Sequence, residues 1–227
     1  MILSDFLNRN FLLRILSTIV IIPLAFILLF LGNFYSAIFI FICYLMMIYE
    51  WLYITKDIDR KKAYLICGFI YITISAFTFY VVAKYATSIL FFIIITVILF
   101  DTFSYIFGKI IKGPKIAKKI SPSKTWSGFL LGIFFTLISV HYLLQLTTNE
   151  DLILWFDEIK IFDFLTFFLC ILAFVGDLLV SFVKRRGKVK DSGKIIPGHG
   201  GILDRVDGLL FILFVASFFV IYLYYAT

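Results

Sequence analysis

The feature that most constrains this chain is a stretch of 35 residues without a single charge, residues 15–49. About 20 apolar residues cross a bilayer as a helix, so the stretch is long enough for two spans, and the turn-forming pair Gly32-Asn33 divides it. Only 15% of the chain is charged and 63% is hydrophobic, whereas about a quarter of a soluble domain is charged. A water-soluble globule is therefore excluded, and a polytopic membrane protein is predicted.

Five further spans are predicted from apolar stretches with few or no charges, at residues 63–83, 87–109, 126–146, 162–183 and 206–225. The expected fold is an all-α polytopic integral membrane protein with about seven transmembrane helices. We predict a single membrane domain over residues 1–227. Its parts are N-terminal helices (1–100), a catalytic motif region (101–207) and the last transmembrane helix (208–227).

The basic residues are distributed unevenly between the predicted loops. Of the 21 Lys and Arg residues, 19 lie before the first span or in the loops at 56–62, 109–124 and 184–205. The intervening segments hold only Lys84 and Lys160. By the positive-inside rule, the N-terminus and the three basic loops are cytoplasmic and the C-terminus lies outside.

Aspartates within the predicted spans are candidates for function, because a charge in the membrane is costly. Asp101 and Asp177 each lie one or two helical turns from the basic face. Helical spacing places Asp101 on one stripe with Tyr105, and Asp177 on one stripe with Ser181 and Lys184. The alternative is that each aspartate simply neutralises a lysine inside the bundle.

Three other polar residues have plainer explanations. Glu50 begins the wet end of the second predicted helix, and we expect it to snorkel towards water, with a functional role as the alternative. Asp163 lies near the outer interface of the sixth predicted helix and should be solvated. His141 stands alone late in the fifth predicted helix and is interpreted as structural.

The segment before the fifth predicted helix combines hydroxyls with a lysine, at Ser121, Lys124 and Thr125. Such side chains beside the N–H groups of a helix start suit a phosphate group. The alternative is a simple helix cap, with Pro122 forming a turn and Trp126 anchoring the helix at the interface. The spacing alone leaves both interpretations open.

The loop at 184–205 is rich in lysine, and three of its glycines fall within four residues, 198–201. Glycines allow close approaches that side chains would block, and such turns can aim N–H groups at an anion. Asp204 and Asp207, one helical turn apart, could hold Mg²⁺, which prefers one or two carboxylates plus substrate phosphates. The residues thus predict a carboxylate, metal and lysine cluster at the cytoplasmic face that handles phosphates.

Three segments carry a more specific pattern. Residues 181–207 read SFVKRRGKVKDSGKIIPGHGGILDRVD, residues 101–109 read DTFSYIFGK, and residues 121–128 read SPSKTWSG. This set resembles the motifs of the phosphatidate cytidylyltransferase (CDP-diacylglycerol synthase) family. Ser123 stands where a second lysine is expected, so no role is assigned to it. The resemblance implies a nucleotidyltransferase that moves CMP from CTP to phosphatidate, giving CDP-diacylglycerol and pyrophosphate.

The resemblance also implies roles for individual residues. The expected catalytic residues are Asp177, Lys184, Asp204 and Asp207, and the expected metal ligands are Asp177 and Asp204. The expected substrate-binding residues are Ser121, Pro122, Lys124, Thr125, Arg185, Lys190, His199, Gly200, Gly201, Arg205, Asp101 and Tyr105.

The expected cofactor is Mg²⁺, with a second, monovalent cation left open. The expected partners are CTP, phosphatidate and the lipid bilayer, with a homodimer left open and no nucleic acid, in a bacterial cytoplasmic (inner) membrane. A CTP-dependent membrane lipid kinase is the first alternative. A transporter is the second, although it would place its acids near the midplane in paired broken helices.

Overall fold

A computed structural model describes residues 23–29, 31–146, 159–193, 195 and 200–226 of the protein. Within these ranges the chain forms six long helices and two short strands. The helices are α1 (Asn33–Thr55), α2 (Lys61–Tyr85), α3 (Thr87–Ile110), α4 (Trp126–Leu146), α5 (Ile159–Arg186) and α6 (Leu203–Ala226). The strands are β1 (Lys115–Ala117) and β2 (Ser121–Thr125).

Five of the described helices are long and apolar enough to cross a membrane. They are α1, α2, α3, the Trp126–Gln145 part of α4 and the Ile161–Arg186 part of α5. Large apolar side chains such as Phe34, Phe77 and Phe134 are exposed on these helices, as expected of surfaces that face lipid rather than water. The chain is therefore a mostly helical polytopic membrane protein, as predicted.

The predicted helix boundaries agree with the structure closely in several places. The break at Gly32-Asn33 is confirmed, because α1 begins at Asn33 and Gly32 has a φ of +124°, which favours glycine. Helix α4 has the predicted ends. Helix α1 continues past the predicted end to Thr55. Of the first predicted span, residues 15–22 lie outside the described residues, and residues 23–29 are helical.

The two strands were not predicted and are the departure from an all-helical fold. They pair antiparallel, with Lys115 opposite Thr125 and Ala117 opposite Ser121. The backbone N–H of Trp126 donates to the carbonyl oxygen of Pro114 at 3.1 Å, so the pairing extends to the first residue of α4. A segment of lysines and hydroxyls lacks the apolar alternation that indicates a strand.

The contacts divide the chain into two compact units. The first, the split unit, combines α1 and α2 with the chain from Val183 onwards, including α6. Within it α2 packs against both α1 and α6, and Ser75 Oγ donates to the carbonyl oxygen of Leu210 at 3.0 Å. This packing brings the N-terminal helices and the last helix into one body.

The second, the inserted unit, runs from Ala86 to Phe182 and holds α3, the hairpin formed by β1 and β2, α4 and most of α5. Helices α3 and α4 approach closely because glycines face the α3 backbone. A Cβ atom on Gly128 would lie 2.5 Å from the carbonyl oxygen of Ser104, and one on Gly132 would lie 2.1 Å from Ser104 Oγ. The contact with a backbone atom excludes a side chain at Gly128, and a side chain at Gly132 would require the Ser104 side chain to move.

Candidate active site

The first cluster of charged groups lies in the split unit, within the signature segment (residues 181–207). Lys184 Nζ donates to Asp204 Oδ1 at 2.6 Å, joining the end of α5 to the first turn of α6. Asp204 Oδ2 accepts the backbone N–H groups of Ser192 at 2.8 Å and of Gly201 at 3.4 Å. The Lys184 and Asp204 side chains are only 10% and 12% exposed. Asp204 therefore ties together three parts of the signature segment.

The charge on Asp204 follows from these partners. Burial by itself would raise the pKa of the Asp204 carboxyl, but the hydrogen bonds from Lys184 and Ser192 stabilise the ionised form, and the net effect is a lowered pKa. Asp204 precedes the apolar stretch of α6, so this charge lies at the helix start. With its pKa lowered, Asp204 is a carboxylate at neutral pH.

The prediction that Glu50 snorkels towards water was wrong. Glu50 is instead 0% exposed. Its Oε2 accepts Ser192 Oγ at 2.9 Å and the backbone N–H of Leu203 at 2.8 Å, and its Oε1 accepts the backbone N–H of Ile202 at 2.9 Å. N–H groups at a helix start lack partners within the helix and favour a negative charge, which explains why a carboxylate is stable here. The only signal in the sequence is an acid at the end of a long uncharged stretch. Such an acid can either snorkel to water or be buried against hydrogen-bond donors.

Glycines of the signature segment make room for Glu50. A Cβ atom on Gly201 would lie 1.9 Å from Ser192 Oγ and 2.5 Å from Glu50 Oε2, and one on Gly193 would lie 2.9 Å from Glu50 Oε1. Gly200 has a φ of +90°, a conformation that glycine tolerates. The predicted close approach of glycines to an anion is present. Among the described residues, the anions are the carboxylates of Glu50 and Asp204.

The second cluster lies in the inserted unit, where Asp177 of α5 forms an ion pair with Lys124 at the end of β2. Ser181 Oγ donates to Asp177 Oδ1 at 3.2 Å, which confirms the predicted stripe. Lys124 Nζ also lies 5.7 Å from the centre of the Phe174 ring. The Lys124 and Asp177 side chains are 21% and 23% exposed, so both remain within reach of a ligand.

Among the hydroxyls before α4, that of Thr125 has a structural task. Thr125 Oγ1 accepts the backbone N–H of Gly128 at 3.2 Å, so Thr125 caps α4 as the simpler alternative expected. Thr125 is 3% exposed and Ser121 is 8% exposed. Pro122, between them, is exposed and lies in β2, not in the turn that the simpler alternative expected. Substrate binding by Ser121, Pro122 and Thr125 stays a prediction.

Most of the other predicted site residues lie at the surface, among them Asp101, Tyr105, Arg185, Lys190 and Arg205. Asp207 is buried, and its Oδ1 accepts the backbone N–H of Gly208 at 2.9 Å. His199 lies outside the described residues.

The two expected metal ligands belong one to each charged cluster. Asp177 and Asp204 belong to different units, and each is paired with a lysine. Within the described ranges, no three His, Cys, Asp or Glu side chains form a group that could hold a metal ion. A metal shared by Asp177 and Asp204 stays a prediction.

Comparison with known proteins agrees with the three motifs. Residues 12–89 and 60–225 match the model of the cytidylyltransferase family. The chain therefore belongs to the cytidylyltransferase family, a family of nucleotidyltransferase enzymes. The match includes N-terminal helices that carry none of the three motifs.

Individual relatives narrow the resemblance further. The chain is 38% identical over 213 residues to the phosphatidate cytidylyltransferases of Rickettsia felis and Rickettsia typhi, covering 89% of each chain in both cases. It is 41% identical over 122 residues to that of Staphylococcus saprophyticus, covering 54% of this chain and 45% of the other. The resemblance to phosphatidate cytidylyltransferases drawn from the motifs is thus confirmed.

Proposed function

We propose that this chain transfers CMP from CTP to phosphatidate, giving CDP-diacylglycerol and pyrophosphate for phospholipid synthesis. The observation that carries the proposal is the Lys184–Asp204 pair, which is held by backbone N–H groups within the signature segment. Membership of the cytidylyltransferase family and relatives named for this reaction support it.

The reaction joins two anions, and this sets the demands on the site. A phosphate oxygen of phosphatidate attacks the α-phosphorus of CTP, a new P–O bond forms, and the bond to the β-phosphate breaks. Pyrophosphate leaves with that electron pair. Because a phosphate monoester is already ionised at pH 7, the attack needs no general base. The site has to offset repulsion and align the two groups.

The lysines meet this demand with positive charge at fixed positions. An ammonium group has three donors. Lys184 can therefore keep its bond to Asp204 and still donate to a phosphate oxygen, and Lys124 can do the same beside Asp177. The exposed guanidinium groups of Arg185 and Arg205 suit bidentate contacts with phosphate.

Mg²⁺ is the proposed cofactor, with Asp177 and Asp204 as its proposed ligands. Carboxylate oxygens are the ligands that this ion prefers, and it commonly takes only one or two of them, with phosphates completing its coordination. The donor chemistry of these two aspartates fits that pattern. When bound, the ion would polarise the α-phosphorus and stabilise charge on the leaving pyrophosphate.

The proposal includes the orientation of the chain. Seven spans with the N-terminus and the three basic loops in the cytoplasm would place Lys124, Lys184 and Asp204 at the cytoplasmic face of a bacterial inner membrane. The 19-to-2 division of Lys and Arg supports this arrangement. The apolar helices and the bacterial relatives are consistent with it.

The proposal is tested on purified protein in detergent with phosphatidate and CTP labelled either in cytidine or in the γ-phosphate. We expect the cytidine label to enter lipid and pyrophosphate to be released in equal amount. Transfer of the γ-phosphate label to lipid would instead show a lipid kinase. Transfer of neither label would contradict the proposal.

A further inference from the structure

We infer that Glu50 is a positioning residue for CMP transfer, acting through the loop that presents Asp204 and Lys184. The inference rests on the proposed function. Glu50 lies on α1, far in sequence from the three motifs, and no motif includes it. Its carboxylate makes no described contact with a lysine or arginine and instead binds the loop and the start of α6.

Ser192 is the connection between Glu50 and Asp204. Its Oγ donates to Glu50 Oε2 at 2.9 Å, and its backbone N–H donates to Asp204 Oδ2 at 2.8 Å. Ser192 is 0% exposed, so water does not compete for either contact. A shift of the Glu50 carboxylate must therefore move an Asp204 partner.

The start of α6 provides a second connection. Glu50 accepts the backbone N–H groups of Ile202 and Leu203, the two residues that precede Asp204. These bonds fix the direction in which α6 begins. Because Asp204 is in the first turn, they also fix the position of its carboxylate relative to Lys184.

Helix α1 contacts the signature segment at another point as well. A Cβ atom on Gly187 would lie 2.1 Å from the carbonyl oxygen of Ile54, one helical turn after Glu50. Gly187 follows Lys184 by three residues, and Gly201 precedes Asp204 by three. Helix α1 therefore lies against the chain close to both members of the pair.

This arrangement predicts an effect on turnover rather than on substrate affinity. Glu50 has no described contact with the exposed basic residues assigned to phosphate binding, so its loss should leave KM nearly unchanged. A displacement of about 1 Å in a reacting group can lower a rate by about 100-fold. A loosened Lys184–Asp204 pair should therefore lower kcat.

The experiment compares the full-length variants Glu50→Gln, Glu50→Asp and Ser75→Ala. Glu50→Gln keeps the size of the side chain but replaces an acceptor with an NH₂ donor facing N–H groups. We expect kcat to fall by about 10- to 100-fold, as for other residues that orient a ligand through one intermediate, with KM for CTP and phosphatidate nearly unchanged. Glu50→Asp keeps the charge and should recover part of the loss.

Ser75→Ala is the matched control. Ser75 is also 0% exposed and also links two helices of the split unit, but it contacts Tyr71 and Leu210, not the signature segment. It should lower thermal stability and keep the wild-type kcat. Hydrogen exchange at residues 201–204 should be faster in Glu50→Gln and unchanged in Ser75→Ala.

The outcomes separate this inference from the proposed function. Faster exchange at residues 201–204 with a wild-type kcat would overturn the positioning role and leave the proposed function intact. A wild-type protein that transfers no CMP would overturn both. If Glu50→Gln does not fold, Ser192→Ala replaces it, because it removes only the Oγ contact and keeps the N–H bond to Asp204. An unchanged kcat in Ser192→Ala would then refute the connection through Ser192. An unchanged kcat in Glu50→Asp, whose shorter side chain draws the carboxylate back from Ile202 and Leu203, would refute the connection through the start of α6.

Discussion

Lys184 and Asp204 are 20 residues apart in the sequence, and their side chains meet at 2.6 Å. The contact closes the loop of the signature segment and leaves both groups about nine-tenths buried. Neutralising one partner of such a pair leaves an uncompensated charge, which costs about 3–5 kcal/mol when burial is complete. The pair is thus both a functional candidate and a structural tie.

The first prediction concerns the two aspartates. Asp204→Asn and Asp177→Asn preserve size and remove charge, so each should lower kcat by orders of magnitude if the carboxylates act on the reacting phosphates. The measurement is CTP-dependent pyrophosphate release by variants that elute from size exclusion like the wild type.

Asp163→Asn is the control for these variants. Asp163 is also an aspartate of α5, is 41% exposed, and contacts His141 Nδ1 at 3.3 Å. It should keep nearly wild-type activity. If Asp177→Asn and Asp204→Asn both retained wild-type rates and Mg²⁺ dependence, the two-aspartate metal site would be refuted.

The second prediction concerns attraction of the anionic lipid. Lys115, Lys118 and Lys119 are exposed on or between the hairpin strands, and each basic residue near an anionic surface contributes about 1 kcal/mol. Replacing all three with Gln should raise the apparent KM for phosphatidate in mixed vesicles and change kcat less. Raising the salt concentration should reduce the difference from the wild type, because salt screens exposed charges.

The control for the hairpin removes the same number of charges from another exposed basic loop, at Lys56, Lys61 and Lys62. An equal rise in KM in both triple variants would indicate a general charge effect and not a role of the hairpin. Loss of activity at saturating phosphatidate in the hairpin variant would place its lysines in the catalytic set.

The third prediction concerns topology. A reporter that is active only in the cytoplasm should function when fused after Lys62 or Lys119 and fail when fused at the C-terminus. The physical reason is the excess of Lys and Arg in alternate loops. An active reporter at the C-terminus would contradict the odd number of spans.

The fourth prediction concerns the contact between α3 and α4. In Gly128→Ala the new Cβ atom would lie 2.5 Å from the backbone oxygen of Ser104, which cannot move without moving the helix. Overpacking of this kind costs about 1–3 kcal/mol, so the melting temperature in detergent should fall.

Gly108→Ala is the matched control, on the facing helix. Its Cβ atom would lie 3.0 Å from Thr125 Oγ1 and 3.6 Å from the Cα atom of Gly128, and alanine gains about 1 kcal/mol of helix propensity over glycine. Its melting temperature should fall less. Equal losses in both variants would contradict the assignment of the cost to the contact with the Ser104 backbone oxygen.

The sequence was sufficient for the features that depend on local pattern. Stretches with few or no charges located the spans, and the Gly32-Asn33 pair marked the start of α1, where Gly32 has the positive φ that favours glycine. Helical spacing also placed Ser181 beside Asp177, where a hydrogen bond is found.

Features that depend on distant partners could not be predicted in this way. An acid at the end of an apolar stretch can face water or three buried donors, and nothing near Glu50 in the sequence separates these outcomes. Helical spacing placed Lys184 on one stripe with Asp177. In the structure Asp177 pairs instead with Lys124, and Lys184 pairs with Asp204. The members of each pair belong to the same unit. Neither pairing can be predicted from the composition of the neighbouring sequence.

The distance along the chain between Glu50 and its partners has a consequence for biosynthesis. The Glu50 carboxylate is made 152 residues before the N–H group of Ile202 that it accepts, a delay of about 8–30 s at ordinary rates of translation. During that interval α1 has been synthesised with an acid whose final partners do not yet exist. Newly made α1 therefore has to hold Glu50 at the water interface or in a protein environment, and the signature segment can close around it only after synthesis has reached the first residue of α6.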